Sequence, residues 1–291
     1  MWVPLVLASA TALGLYDVAK KQSVRGNAVM PVLCLATAFG SAVFMAAILV
    51  SGRGREVMTL SGASFGLIGL KSLLVSGSWI LAYYAMRAMP LSIVSPIRAS
   101  APLWTLVGAV FLFDERPTAP QAVGMALVLA GYGMFSFLGK KEGIHFARHR
   151  GVFMAFGATL LGAASALYDK YLLQTCRLPR DTLQFWFCAG LVVVLGGAWF
   201  AQRAANLHRT PFQWRWSIPA VGLLLVTADW LYFKALSEPG VSIAVVSLIR
   251  RSNVILTFML GAFLFREENI RSKGLALLTI LAGVAVLCMA R

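Results

Sequence analysis

Eight ionisable side chains sit inside runs of sequence too apolar to solvate them: Asp17, Asp169 and Asp229, against Lys71, Arg98, Lys234, Arg250 and Arg251. At mid-bilayer depth such a group costs about 2.5–3.5 kcal/mol, so it persists where it pairs, holds a proton or meets a charged ligand. Two of the aspartates share a context. Residues 15–22 read LYDVAKKQ and residues 167–174 read LYDKYLLQ, so Tyr16, Asp17 and Gln22 recur 152 residues later as Tyr168, Asp169 and Gln174. At the same shift SPIRAS (95–100) faces SLIRRS (247–252), which matches Arg98 to Arg250. FLFDE (111–115) likewise faces FLFRE (263–267), which matches Glu115 to Glu267.

These residue types suit charge pairing and the binding of a small polar molecule. Asp17 near the end of one run and Arg98 near the start of another can meet at one membrane face. By the repeat, Asp169 and Arg250 can meet near the opposite face. Each pair reads either as a static tie or as a gate that closes one side of a cavity. Asp17 also has Lys20 and Lys21 at i+3 and i+4 on its own helix. Asp169 has only Lys170 nearby, on a different face, and so needs a distant partner. The segment ADWLYFKAL adds Asp229, either satisfied by a neighbouring helix or able to accept a proton or contact a cationic group, followed by Trp230 and Lys234. Lys71 precedes Trp79 by two turns, and Tyr83 follows. Mixed aromatic and charged linings suit amphipathic ligands, although aromatics in such runs also serve packing. The candidate binding set is therefore Lys71, Trp79, Tyr83, Arg98, Asp229, Trp230, Lys234 and Arg250. The excess of cations favours an anionic or zwitterionic molecule. Pro96, two residues before Arg98, is expected to break its helix and free backbone carbonyls.

Other chemistry is poorly supplied. His145 and His149 lie four apart, but no carboxylate or cysteine completes a metal set. The four cysteines show no CxxC spacing and read as free thiols. There is no P-loop for ATP, no cofactor motif, and no histidine within an apolar run to build an intramembrane enzyme.

The elements that must position these residues are set by composition. Hydrophobic residues make up 59% of the 291 and charged residues 13%, against about 25% charged in soluble domains. That balance points to lipid as the solvent. The net charge of +15 raises nucleic acid as a partner, but the basic residues occupy short gaps between apolar runs and read as membrane-flanking charges. The first run lacks the charged start of a signal peptide and has a mid-chain counterpart, so it reads as a span. Spanning helices need about 20 apolar residues. Ten are expected, at 3–22, 29–50, 62–86, 91–113, 119–138, 151–173, 183–201, 217–237, 241–265 and 273–290. The expected fold is an all-α integral membrane protein of two five-helix repeats, 1–143 and 144–291. An odd repeat forces the second copy to enter the membrane from the other side, giving inverted repeats.

The stretch YFKALSEPGVSIAVVSLIRRSNVILTFMLGAFLFREENIRSKGLALLTILAGVAVL (232–287) resembles the closing segment of EamA-type members of the drug/metabolite transporter (DMT) superfamily. Residues 83–135 resemble it more weakly. The resemblance implies a ten-helix metabolite exporter or exchanger with a central cavity and both termini in the cytoplasm. Basic residues favour the reverse orientation: the gaps after odd-numbered spans hold 14 Lys and Arg, the other gaps and the C-terminus 7. The resulting expectation is a secondary active transporter of a small organic metabolite, driven by protons or a counter-substrate. It would sit in the inner membrane as a monomer or homodimer. A passive channel or a non-transporting membrane scaffold is the alternative.

Overall fold

The computed structural model describes residues 2–101, 103, 104, 107, 118–141, 148–205, 210–238, 246, 249, 250, 252–265 and 270–289. Every regular element among them is helical. In chain order these are α1 (Trp2–Val24), α2 (Val29–Val50), α3 (Gly54–Met58), α4 (Gly62–Ala88), α5 (Leu91–Ala99), α6 (Ala119–Lys141), α7 (Arg150–Lys170), α8 (Arg180–Ala204), α9 (Ser217–Leu236), α10 (Asn253–Phe265) and α11 (Ile270–Met289). Backbone groups in lipid must be satisfied within their own segment, which only a helix or a closed barrel achieves. Six segments are long and apolar enough to cross a bilayer: α1, α2, α4, α7 with its extension to Leu173, α8 and α9. α6 and α11 have comparable lengths, and α5 and α10 are shorter.

Local sequence explains several ends. Ser61 caps α4 by accepting a hydrogen bond from the Ser64 N–H. The helix α5 runs through Pro96 to Ala99 and turns at Ser100, whose N–H bonds back to the Ile97 carbonyl. The expected break at Pro96 is thus displaced by four residues. As the sixth residue of the helix, proline removes the ladder bond to the Ser92 carbonyl, and the helix continues for only three residues beyond it. α7 widens into a π turn at Tyr171–Thr175, closed by the Cys176 N–H on the Tyr171 carbonyl. Glu115, His145, Arg251, Glu267 and much of the expected fourth and ninth spans lie outside the described residues.

Directions follow from side-chain contacts. Lys21 near the end of α1 donates to the carbonyls of Met86 and Met89 at the end of α4, so these two helices run the same way. α7 runs against α4: Tyr168 near its end donates to the Leu67 carbonyl, while Gly151 near its start lies against Met89. The two helices that carry Leu-Tyr-Asp therefore traverse the bundle in opposite senses. Packing partners also come in corresponding sets. α1 packs on α9 as α7 packs on α4, and α2 packs on α9 as α8 packs on α4. α6 and α11 pack mainly on each other.

Small residues permit the closest approaches. A Cβ at Gly222 would lie 2.0 Å from the Ala36 carbonyl oxygen, and one at Gly40 would lie 2.3 Å from the Gly222 oxygen. Gly190 meets Ser72 at the corresponding α4–α8 crossing, with 2.4 Å to its hydroxyl. Gly131 and Gly283 play matching parts between α6 and α11. Gly222→Ala should therefore force α2 and α9 apart and cost about 1–3 kcal/mol or more, the usual penalty of overpacking. Thermal unfolding in detergent checks this against Gly66→Ala, where nothing lies within 4 Å and no loss is expected.

Candidate functional site: a charged central cavity

A cavity of about 160 Å³ lies between the helices that carry the internal charges. That is close to the roughly 150 Å³ engineered cavity that admits benzene. α1 contributes Tyr16 and Asp17, α4 contributes Lys71, Ser78 and Trp79, and α5 contributes Ser95 and Arg98. From the other half α7 contributes Ser165 and Asp169, and α9 contributes Asp229, Tyr232 and Phe233, with Arg250 and Asn253 beside them. The lining thus holds three carboxylates and three cations among the described residues.

The first aspartate is over-provided. Lys20, itself almost fully buried, donates to Asp17 Oδ1 at 2.7 Å. Asn253 donates to the other oxygen at 3.3 Å, and Arg98 lies at 3.5 Å. Lys20 also sits 4.2 Å over the Tyr16 ring and 5.3 Å over that of Tyr83. Arg98 is the loosest of Asp17's polar partners, and its side chain keeps 23% of its exposure.

The second half is wired differently. Asp169 accepts a hydrogen bond from Lys71, not from Arg250. Lys71 is also 3.5 Å from the Ser165 hydroxyl and lies over the rings of Phe187 and Phe233 at 4.5 and 5.6 Å. Arg250 instead donates to Asp229 at 2.6 Å, and its guanidinium stacks 4.1 Å over Tyr232. Its Nε has no partner among the described residues. The expected Asp169–Arg250 pair is therefore absent from this structure, and Asp229 is satisfied by the next expected span, through Arg250. The physical reason is the antiparallel packing of α7 on α4, which sets Asp169 directly against Lys71. Sequence marked Lys71 as an internal cation but not as the partner of Asp169.

Of the expected binding residues, Lys71, Trp79, Arg98, Asp229 and Arg250 line the cavity, whereas Tyr83, Trp230 and Lys234 do not. On α9 residues 229, 232 and 233 share one face at i, i+3 and i+4, while 230 and 234 share the next. Trp230 packs beside Phe44 and Ile48, and Lys234 covers its ring at 5.0 Å. Tyr83 continues the Lys71–Trp79 stripe, but Tyr16 and Lys20 cover it. Ser95, Ser165, Tyr232, Phe187 and Asn253 line the cavity without having been singled out. Among them Asn253, a polar residue opening an apolar run, carried the clearest signal. Residues that could hold a metal do not cluster among those described.

The family model for EamA-like transporters matches residues 1–137 and 149–289. The chain belongs to the EamA-like transporter family. EamA proteins fall within the DMT superfamily, so this is a multi-pass membrane transporter of the DMT type. No curated protein gives a significant match. One solved structure, titled only as the crystal structure of a protein, matches with a TM-score of 0.65 and 19% identity, over 98% of this chain and 96% of that one. At that identity the likeness speaks for the fold alone.

In this EamA-family protein the Lys71–Asp169 bond joins α4 to α7 in a site almost closed to water. Removing one partner of a buried pair strands the other charge and costs about 3–5 kcal/mol, whereas replacing both with apolar groups is often neutral. Lys71→Met should thus lower stability by about that amount, and adding Asp169→Leu should recover most of it. Thermal unfolding of the two variants in detergent checks the pattern.

Proposed function

We propose that this EamA-family protein is a secondary active transporter, an exporter or exchanger, of a small anionic or zwitterionic metabolite. It works by alternating access around the central cavity, as a monomer or homodimer in the inner membrane. The observation that carries this reading is Arg98. Asp17 is already held by Lys20 and Asn253, so Arg98 is free to exchange its 3.5 Å contact for a ligand carboxylate or phosphate without stranding the aspartate.

The reading includes a ten-helix inverted repeat with halves 1–143 and 144–291. It is supported by the opposite senses of α1 and α7, the corresponding packing partners and the family match on both halves. Inverted repeats place substrate at their interface and expose it to alternate sides by rocking. Asp17–Arg98 within reach, with Asp169 and Arg250 engaged elsewhere, fits a state in which the two faces differ. Drive comes from protons or a counter-substrate. A proton on Asp229 would release Arg250 from its 2.6 Å bond and leave it open to an anionic group.

Counterflow in sealed proteoliposomes tests the proposal, with panels of small carboxylates, phosphates and amino acids. A preloaded substrate should accelerate uptake of its labelled form. Flux without counterflow would mean a channel, and no flux for any compound a scaffold. Arg98→Gln should weaken uptake by roughly tenfold or more, the worth of one charge-assisted hydrogen bond. Asp229→Asn should remove the response to a pH gradient while keeping cargo-for-cargo exchange. An unchanged pH response would eliminate Asp229 as the coupling group.

A further inference from the structure

A second polar site lies away from the central cavity, at the face where α4 ends and α7 begins. We infer that the groove between these helix ends binds the phosphate headgroup of an acidic phospholipid. It has a volume of about 520 Å³ and is lined by Tyr84, Arg87, Arg148, His149 and Arg150 together with small and apolar residues. Three guanidiniums converge on one groove. None of them forms an ion pair with a carboxylate among the described residues, and Arg87 has only the Thr210 hydroxyl, at 2.6 Å. All three arginines are exposed. The first backbone N–H groups of α7 are already used, Gly151 by His149 Nδ1 and Val152 by the His149 carbonyl, so the charge comes from the side chains.

Like charges crowd together only where something offsets them. Among the described residues, the segments at 23–28, 87–90, 202–205 and 210–216 contain no Asp or Glu but hold Arg25, Arg87, Arg203 and Arg215. The same face has aromatic anchors. The segment that Thr210 opens carries Trp214 and Trp216, 54% and 82% exposed, stacked edge to face. Exposed tryptophans mark the headgroup level of a bilayer. At that depth the anion at hand is the lipid phosphate, and arginine meets phosphate through paired, parallel N–H bonds. Each basic residue near an anionic leaflet strengthens such binding roughly fivefold. The Met154 and Ala88 side of the groove offers apolar surface for the adjoining acyl chain.

The test uses the full chain, purified in a mild neutral detergent. Phosphatidylglycerol, phosphatidylcholine or inorganic phosphate is added, and retained lipid is counted by native mass spectrometry alongside thermal unfolding. The wild type should retain phosphatidylglycerol over phosphatidylcholine and unfold at higher temperature with it. The double variant Arg148→Gln, Arg150→Gln should lose roughly tenfold or more in phosphatidylglycerol affinity. Arg55→Gln, an exposed change in α3 beside the start of α4 and so at the opposite end of that helix from the groove, should behave as wild type. Equal retention by wild type and double variant would overturn the proposal, as would equal retention of the two lipids. Stabilisation by inorganic phosphate alone would assign the groove to a free anion and overturn the lipid as its occupant. These readouts need no transport, so their failure is separate from any failure of the central-cavity reading.

Discussion

A carboxylate inside an apolar bundle must find a cation, because neither lipid nor hydrocarbon side chains can solvate it. That constraint organises the centre of this protein. Asp17, Asp169 and Asp229 each have a basic partner, and the three partnerships surround one cavity. The bond between Lys71 and Asp169 joins the two halves of the chain, so the charge that makes the site also holds its walls together. Lys20 holds Asp17 from within α1 while Arg98 faces the cavity.

Such pairing needs helices close enough for short side chains to reach across. The glycine crossings provide this. Where Gly40 meets Gly222 and Gly190 meets Ser72, backbones approach nearly to contact, and dispersion replaces the hydrophobic drive that lipid removes. The two crossings flank the cavity on α9 and α4, the helices that carry Asp229 and Lys71. Hydroxyls reinforce the same seams: Ser9 donates to the Ala228 carbonyl across α1 and α9, and Ser78 to the Ala158 carbonyl across α4 and α7.

The two halves correspond in backbone plan but not in charge. YYAM (83–86) faces FKAL (233–236) at a shift of 150, which aligns Lys71 with Val221 and Asp229 with Trp79, so each half carries one cavity-lining charge the other lacks. A symmetric pair of Asp–Arg contacts is thereby replaced by three unequal ones. The shared fold alone names no cargo, since one fold serves many.

Residue order alone determined much of this protein. Apolar runs near bilayer length required helices, the recurrence of Leu-Tyr-Asp marked α1 and α7 as counterparts, and the five expected spans from one to the next implied their opposed senses. The internal charges were identifiable because their cost in lipid is independent of fold, and Lys20 was legible as an i+3 partner because helix geometry is local. Which charges meet was not legible. Pairing by the 152-residue shift assumed that both halves keep the same partners, but partner choice depends on which helices pack and at what depth. The antiparallel docking of α7 on α4 decided that Asp169 takes Lys71, which in turn left Arg250 to Asp229. Rotation of α9 decided that Asp229 and Tyr232 face the cavity while Trp230 and Lys234 do not. Sequence specifies the groups that must be neutralised, and only helix packing specifies by whom, because a charge pair is a contact across the fold.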